Sequence, residues 1–444
     1  MAKKTLVEGD LWKQWLRLQP RLQNKVVLID AAKDRQWTAG ALTQAALDFS
    51  PLLTPYRAGE RIAFRIPNGA EWFALFLALQ RGNLTAIPLD GAMPREGCFE
   101  TARRLGASAL YLDGEFHALG KSRTRRKPCS CIKVTSGSSS LPKAVECTAG
   151  HLLADGRQVI ATMKIRPGDL NLAVIPLGHS YGLGNLVMPL ILQGTGMVCA
   201  SEYLPRQLVE WIKRYRVSVF PGVPALLRIL AALPPGEKKL ESLRTVISAG
   251  AVLTPTVAQE FFARFGLKIH NFYGASETGG ICYDRTGNAS LTGRSVGKPL
   301  AGVSVLVKTR RVTVKSAAVA TRSGQWRLGD FGERNSRGEL VLLGRAGNGA
   351  NIGGKKVHPL EVERALRALS GISDAAVWLA QSNGRDLLIA GVETTLSRAE
   401  IEKALAEKLP AWKLPKDYFI ARELPRTLRG KLDLGVIRQK INLG

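Results

Sequence analysis

Acidic residues are scarce in this chain: 36 Asp and Glu stand against 63 Lys and Arg in 444 residues, a formal charge of +27. A surface so one-sided attracts polyanions, whether nucleotide, nucleic acid, anionic lipid or an acidic protein. Cysteine is sparse as well. Of Cys98, Cys129, Cys131, Cys147, Cys199 and Cys282, only Cys129 and Cys131 lie close together, and no second pair stands at zinc-site spacing. That excludes a disulfide-stapled scaffold and a zinc module. Long apolar runs are missing too. The richest stretch, 217–235, is broken by Pro221, Gly222, Pro224 and Arg228, whereas a membrane span needs about 20 nearly uninterrupted apolar residues. The opening MAKKTLVEGDLWKQW lacks the apolar core of a secretory signal. No internal repeat is found. These absences predict a reduced, soluble, cytoplasmic protein without a membrane span.

What is present is ample core material: 45% of residues are hydrophobic and 22% charged, which excludes a wholly disordered chain. Residues 61–90, RIAFRIPNGAEWFALFLALQRGNLTAIPLD, read as strand, Pro-Asn-Gly turn, apolar helix, Gly turn and strand, a βαβ unit. The alternation continues through SALYLD (108–113), LAVIPL (172–177), MVCA (197–200), VSVF (217–220), TVISAG (245–250) and KIHNFYG (268–274). It predicts an α/β fold whose large N-terminal domain has parallel-type sheets flanked by helices. From about 293 to 343 the texture turns to short strands with Gly and charged turns, predicting a small β-rich subdomain. A Gly-rich stretch, AGNGANIGG (346–354), then precedes the amphipathic PLEVERALRAL (359–369), and a small mobile α+β C-terminal domain is expected beyond it. The expected division is 1–346, a hinge at 347–353, and 354–444. The basic run KSRTRRK (121–127) reads as a solvated loop or as a contact for an anionic partner.

The strongest chemical signal is VTSGSSSLPKAV (134–145). An apolar strand delivers a row of hydroxyls and a glycine. Gly137 lets backbone amides approach an anion, Thr135, Ser136, Ser138, Ser139 and Ser140 can donate to phosphate oxygens, and Lys143 adds a positive charge. The spacing is not G-x-x-x-x-G-K-[ST], so a conventional P-loop ATPase is disfavoured. In isolation such a loop is more often just a flexible connection.

Further motifs follow in order. The loop resembles the T-S-G-S-T-G-x-P-K-G segment of the AMP-forming acyl-CoA synthetase superfamily, the adenylate-forming or acyl-activating enzymes, with Ser140 in place of a glycine. VIPLGHSYGLG (174–184) resembles its P-L-F-H-x-x-G segment and SAGAVL (248–253) its adenine loop. FYGASETG (272–279) resembles Y-G-x-T-E-x-G, and QWRLGDFGERNSRGELVLLGR (325–345) resembles W-x-x-T-G-D … G-x-L-x-x-x-G-R. LPRTLRGKLD (424–433) resembles P-K-T-x-x-G-K. The likeness covers about residues 25–440. It implies that Thr135 to Ser139 and Lys143 hold phosphate, that Gly250, Ala251, Tyr273 and Gly274 meet adenine, and that Ser276 contacts phosphate. It places Glu277 on Mg²⁺, His179 beside the acyl group, Asp330 and Arg345 at the ribose, Gly353 and Gly354 along a pantetheine tunnel, and Lys431 as catalytic lysine. Asn348 and Asn351 stand where the superfamily has an acidic hinge and a lysine.

The resemblance implies a two-step ligase: a fatty or aryl carboxylate and ATP give an acyl-adenylate, and a phosphopantetheine thiol then takes the acyl group. Coenzyme A and an acidic acyl carrier protein are the candidate acceptors, and the +27 charge leans to the carrier protein. An enzyme that only adenylates is one alternative. A nucleic-acid-binding protein on the same fold is another, disfavoured because Glu277, Asp330, Arg345 and Lys431 are retained.

Overall fold

The helix Ala70–Arg81 has almost no polar face, and ten of its twelve residues are buried. A helix apolar all round has to be covered on every side. In the computed structural model it lies between two sheets. It links the parallel-paired strands Arg61–Arg65 and Thr85–Pro88, and its side chains share one core with Val27, Leu28, Ala173 and Met197 of the other sheet. Trp72 stacks on Phe76 with centroids 5.2 Å apart, and Trp15 meets the edge of Phe73 at 5.5 Å. The structure describes residues 9–120, 129–135, 143–200, 203–233, 240–345, 350–352, 355–357, 359–382, 385–426 and 432–441.

Among those residues the first sheet has six strands, in the order Glu115–Ala118, Ala109–Leu112, Arg61–Arg65, Thr85–Pro88, Cys131–Thr135, Lys143–Cys147. Its inner pairs are parallel and its two edge pairs antiparallel. The second has nine strands, with Ile269–Ala275, Thr245–Ser248, Val219–Gly222, Leu170–Ala173, Gly196–Cys199 and Val26–Asp30 successively parallel in its middle. A second buried helix, Ala149–Met163, starts on a capping box in which Thr148 and His151 satisfy each other's backbone N–H. Leu152 packs into the core around the first helix, while Val159 and Met163 join a cluster with Ile247, Phe272 and Ile281. This helix therefore ties the sheets together. The fold is α/β with parallel-type sheets.

The expected β-rich subdomain is an antiparallel sheet of Ser304–Lys308, Arg311–Lys315, Gln325–Arg334 and Leu340–Arg345. Beyond it, part of the stretch expected as a joint is itself a strand: Ala350–Ile352 pairs with Lys355–Val357 and lies against Arg385–Thr394. The C-terminal module contains Ile372–Ser382, Arg385–Thr394 and Asp417–Ala421 with the helices Pro359–Arg367, Arg398–Ala406 and Leu434–Ile441. Val362, Leu366, Leu388, Val392, Ile401 and Leu405 give it a core of its own.

A ladder of alternating charges runs through that module. Arg367 reaches Glu363 at 3.1 Å and Asp374 at 2.9 Å; Arg426 joins Asp374 at 2.9 Å to Glu393 at 3.1 Å; and Glu393 also pairs with Arg228 of the helix Pro224–Ala231. Arg228 belongs to the large module, so this last rung crosses between the two.

All six cysteines are free thiols, five buried and Cys129 half-buried. Among the described residues no helix is long and apolar enough to cross a membrane.

Candidate functional site

Parallel strands bring their carboxyl ends to one edge of a sheet, and the crevice there is where open α/β sheets take ligands. Here Val219–Gly222 and Thr245–Ser248 end side by side, and Ile269–Ala275 runs on past them. The chain leaves Ser248 through Gly250, whose φ of +86° suits glycine. Above these ends lies a cavity of about 370 Å³, lined by Gly250, Ala251, Tyr273, Gly274 and Asp330 among others. Five residues singled out from separate motifs thus face one space. Asp330 arrives from the strand Gln325–Arg334, and the Tyr273 hydroxyl donates to its Oδ2 at 2.8 Å. That bond fixes the ring and the carboxylate relative to each other. Arg345 is the cross-strand neighbour of Asp330.

The far wall comes from the C-terminal module, through Leu360, Arg364, Arg367 and Ala368. No motif in the sequence pointed to Arg364; its segment showed only helical amphipathicity. A second cavity of about 250 Å³ lies where Arg228, Gly250 and Ala251 meet Asp374, Arg426 and Leu432.

Ser276 and Glu277 occupy the turn between Ile269–Ala275 and Gly279–Tyr283. The Ala320 N–H donates to the Glu277 carbonyl at 2.9 Å, and the buried Thr278 hydroxyl donates to the Gly279 carbonyl at 3.1 Å. The turn is therefore held by backbone and Thr278, leaving the half-buried Glu277 carboxylate without a hydrogen-bonding partner among the described residues. No group of three or more His, Cys, Asp or Glu suited to a metal occurs among them. A lone carboxylate fits Mg²⁺, which usually takes one or two protein oxygens and completes its shell from phosphate and water.

His179 sits just before the short helix Ser180–Gly182, with Nε2 3.2 Å from Asp90 Oδ2. Thr135 and Lys143 are cross-strand neighbours at the ends of their strands, and so bracket the hydroxyl-rich loop. Ser136, Gly137, Ser138, Ser139, Gly353, Gly354 and Lys431 lie outside the described residues, as does the basic run 121–127.

The chain matches the AMP-binding enzyme family over residues 121–314. It is 25% identical to a feruloyl-CoA synthase of an Amycolatopsis species over 442 residues, covering 86% of this chain and 89% of that relative. Identity to a 3,4-dihydroxybenzoate–aryl-carrier-protein ligase of Bacillus anthracis is 21% over 380 residues, covering 84% and 90%. The fold superposes on ATP-bound MatB from Rhodopseudomonas palustris with a TM-score of 0.82, over 97% of this chain and 98% of that one at 21% identity. These matches support the AMP-forming acyl-activating superfamily for this chain. It is an ATP-dependent, AMP-forming ligase.

This acyl-activating enzyme keeps a buried polar cluster beneath its site. Asp155, on the buried helix Ala149–Met163, accepts from the Gly280 N–H at 2.8 Å. Burial raises its pKa, opposed by the Lys133 charge and that N–H. Lys133, on the strand entering the hydroxyl-rich loop, donates to Ser180 Oγ at 3.1 Å. Neither was recognised in the sequence, where each looked like an ordinary polar residue in an apolar run. Asp155 is wedged against glycines: a Cβ at Gly279, whose φ is +68°, would lie 2.4 Å from Asp155 Oδ1. Gly279→Ala should therefore cost about 2–4 kcal/mol, combining left-handed backbone strain with overpacking. A lowered urea midpoint at unchanged slope would report it; an unchanged midpoint would mean that the helix yields.

Proposed function

We propose that this ligase activates an aryl or fatty carboxylate and passes the acyl group to a phosphopantetheine thiol. The observation that supports this best is the Tyr273–Asp330 hydrogen bond in the cavity shared with Gly250 and Ala251, which suits an adenosine: an aromatic face for the purine and a carboxylate for ribose hydroxyls. The relatives' acids, ferulate and dihydroxybenzoate, favour an aryl substrate.

In the first step a substrate carboxylate oxygen bonds to the α-phosphorus of ATP, the bond from that phosphorus to the bridging oxygen breaks, and pyrophosphate leaves. Two anions approach each other, so positive charge has to be fixed in place beforehand. Lys431, Lys143 and the donors from Thr135 to Ser139 serve this role, with Ser276 on a phosphate oxygen. Glu277 would hold Mg²⁺, which neutralises phosphate charge when bound. His179, held by Asp90, borders the acyl group. In the second step the thiol gives up its proton, its sulfur bonds to the acyl carbon, and AMP departs with the electrons of the broken C–O bond. A swing about residues 347–353 between the domains 1–346 and 354–444 would exchange Lys431 for the Gly353–Gly354 segment at the site, with Arg345 on the ribose throughout. Pyrophosphate exchange measured across aryl, fatty and amino acids tests the reading. An acid-dependent signal is expected for aryl or fatty acids, and its absence with every acid would overturn it.

For the acceptor, the net charge of +27 favours an acidic carrier protein over free coenzyme A. Transfer to a carrier should weaken steeply as salt rises, because exposed charges are screened beyond about 8–10 Å at physiological ionic strength and steering acts on association. Transfer to coenzyme A should respond less. Coenzyme A proving the better acceptor at every salt concentration would refute the preference.

A further inference from the structure

Two arginines one helical turn apart on Pro359–Arg367 face the large cavity and differ in their partners. Arg367 is held on all three nitrogens: Nε donates to Asp374 Oδ1 at 2.9 Å, Nη1 to Glu363 Oε2 at 3.1 Å, and Nη2 to the Ala375 carbonyl. The Arg364 guanidinium makes no hydrogen bond to any described residue, yet it lines the cavity beside Tyr273, Asp330 and Gly250. Burial lowers its pKa, only partly offset by the charge of Glu333. The residue is half-buried, so its donors open onto the cavity and stand available to a molecule that occupies it.

We propose that Arg364 is a nucleotide-binding residue supplied by the C-terminal module, contacting the adenosine half of ATP and of AMP. This rests on the functional reading above. The adenosine end is indicated because Arg364 shares its cavity with Tyr273 and Asp330, the pair that suits a purine and a ribose. A planar guanidinium suits both available surfaces, since it lies flat on a purine face and donates to ribose oxygens. Because the residue belongs to the smaller module, nucleotide binding and the placement of that module reinforce each other, each by the same factor.

Calorimetric titration of the full chain with ATP and separately with AMP tests this. Arg364→Ala should weaken both nucleotides by the same factor, roughly tenfold for the loss of charge-assisted hydrogen bonds. Arg364→Lys should recover part of the loss, and the melting temperature without nucleotide should stay near wild type. Unchanged affinity in Arg364→Ala would overturn the assignment, and so would a loss confined to ATP, which would move the contact to the terminal phosphates. Wild-type protein that binds neither nucleotide would instead overturn the functional reading, and this inference with it.

Discussion

Glu277→Gln is expected to slow acyl-adenylate formation by about 10²–10³, the usual cost of removing one preorganised electrostatic element from a site. The substitution keeps the volume and one carbonyl oxygen and removes only the charge. The surrounding turn does not depend on that charge, because it is fastened by Ala320 N–H to the Glu277 carbonyl and by the buried Thr278. Thermal unfolding without nucleotide should therefore match wild type, and the loss should appear in pyrophosphate exchange. Exchange at the wild-type rate across a magnesium titration would remove Glu277 from the chemistry and leave it a surface carboxylate in a turn.

Glu393→Ala is expected to destabilise the C-terminal module by about 3–5 kcal/mol, since removing one member of a buried ion pair leaves its partners uncompensated. The Glu393 side chain is 3% exposed. It holds Arg228 from the large module, Arg426 Nη2 at 3.1 Å and the Leu424 N–H at 3.1 Å. Arg228→Ala is the milder companion, because it removes only the crossing rung and leaves Glu393 bound to Arg426. Denaturant unfolding followed by hydrogen exchange of 372–394 would separate the two, and equal small effects would show that water compensates the ladder. The ladder also has an acid limit. Burial raises the Asp374 pKa, but Arg367 and Arg426 outweigh it and the net shift is downward. A carboxyl lowered in the native state contributes stability above its unfolded value of about 3.9, and that contribution is lost as pH falls through the native value.

The parallel architecture was legible because its strands and buried helices are short apolar runs between Gly, Pro and Asn punctuation. The unit from Arg61 to Pro88 is the clearest case. The strand Gln325–Arg334 was not legible as a strand. Only Leu328 and Gly332 are buried along it, so it lacks the alternation that betrays a strand, and it was visible only as a motif around Asp330. The π-helical turn Leu183–Val187 also escaped notice, since its apolar residues fit any buried helix. At the site, resemblance to the superfamily's motifs singled out Gly250, Tyr273 and Asp330. Arg364 and Asp155 gave no such signal. Their roles come from what lies opposite them in space, and one sequence holds no record of that.

The cysteines have a practical consequence. Burial raises every one of the six thiol pKa values, Cys129 to about 11 and Cys282 to about 12. Alkylating reagents attack the thiolate. At neutral pH Cys129, the most accessible of the six, would be ionised in only about one molecule in 10⁴, against a few per cent for an ordinary exposed thiol. The native thiols should therefore react slowly with maleimides, and a single cysteine introduced on an exposed face of either module should take a fluorophore in preference to them. Dye pairs that report the distance between the modules during turnover could be installed without first stripping the natural thiols from the core.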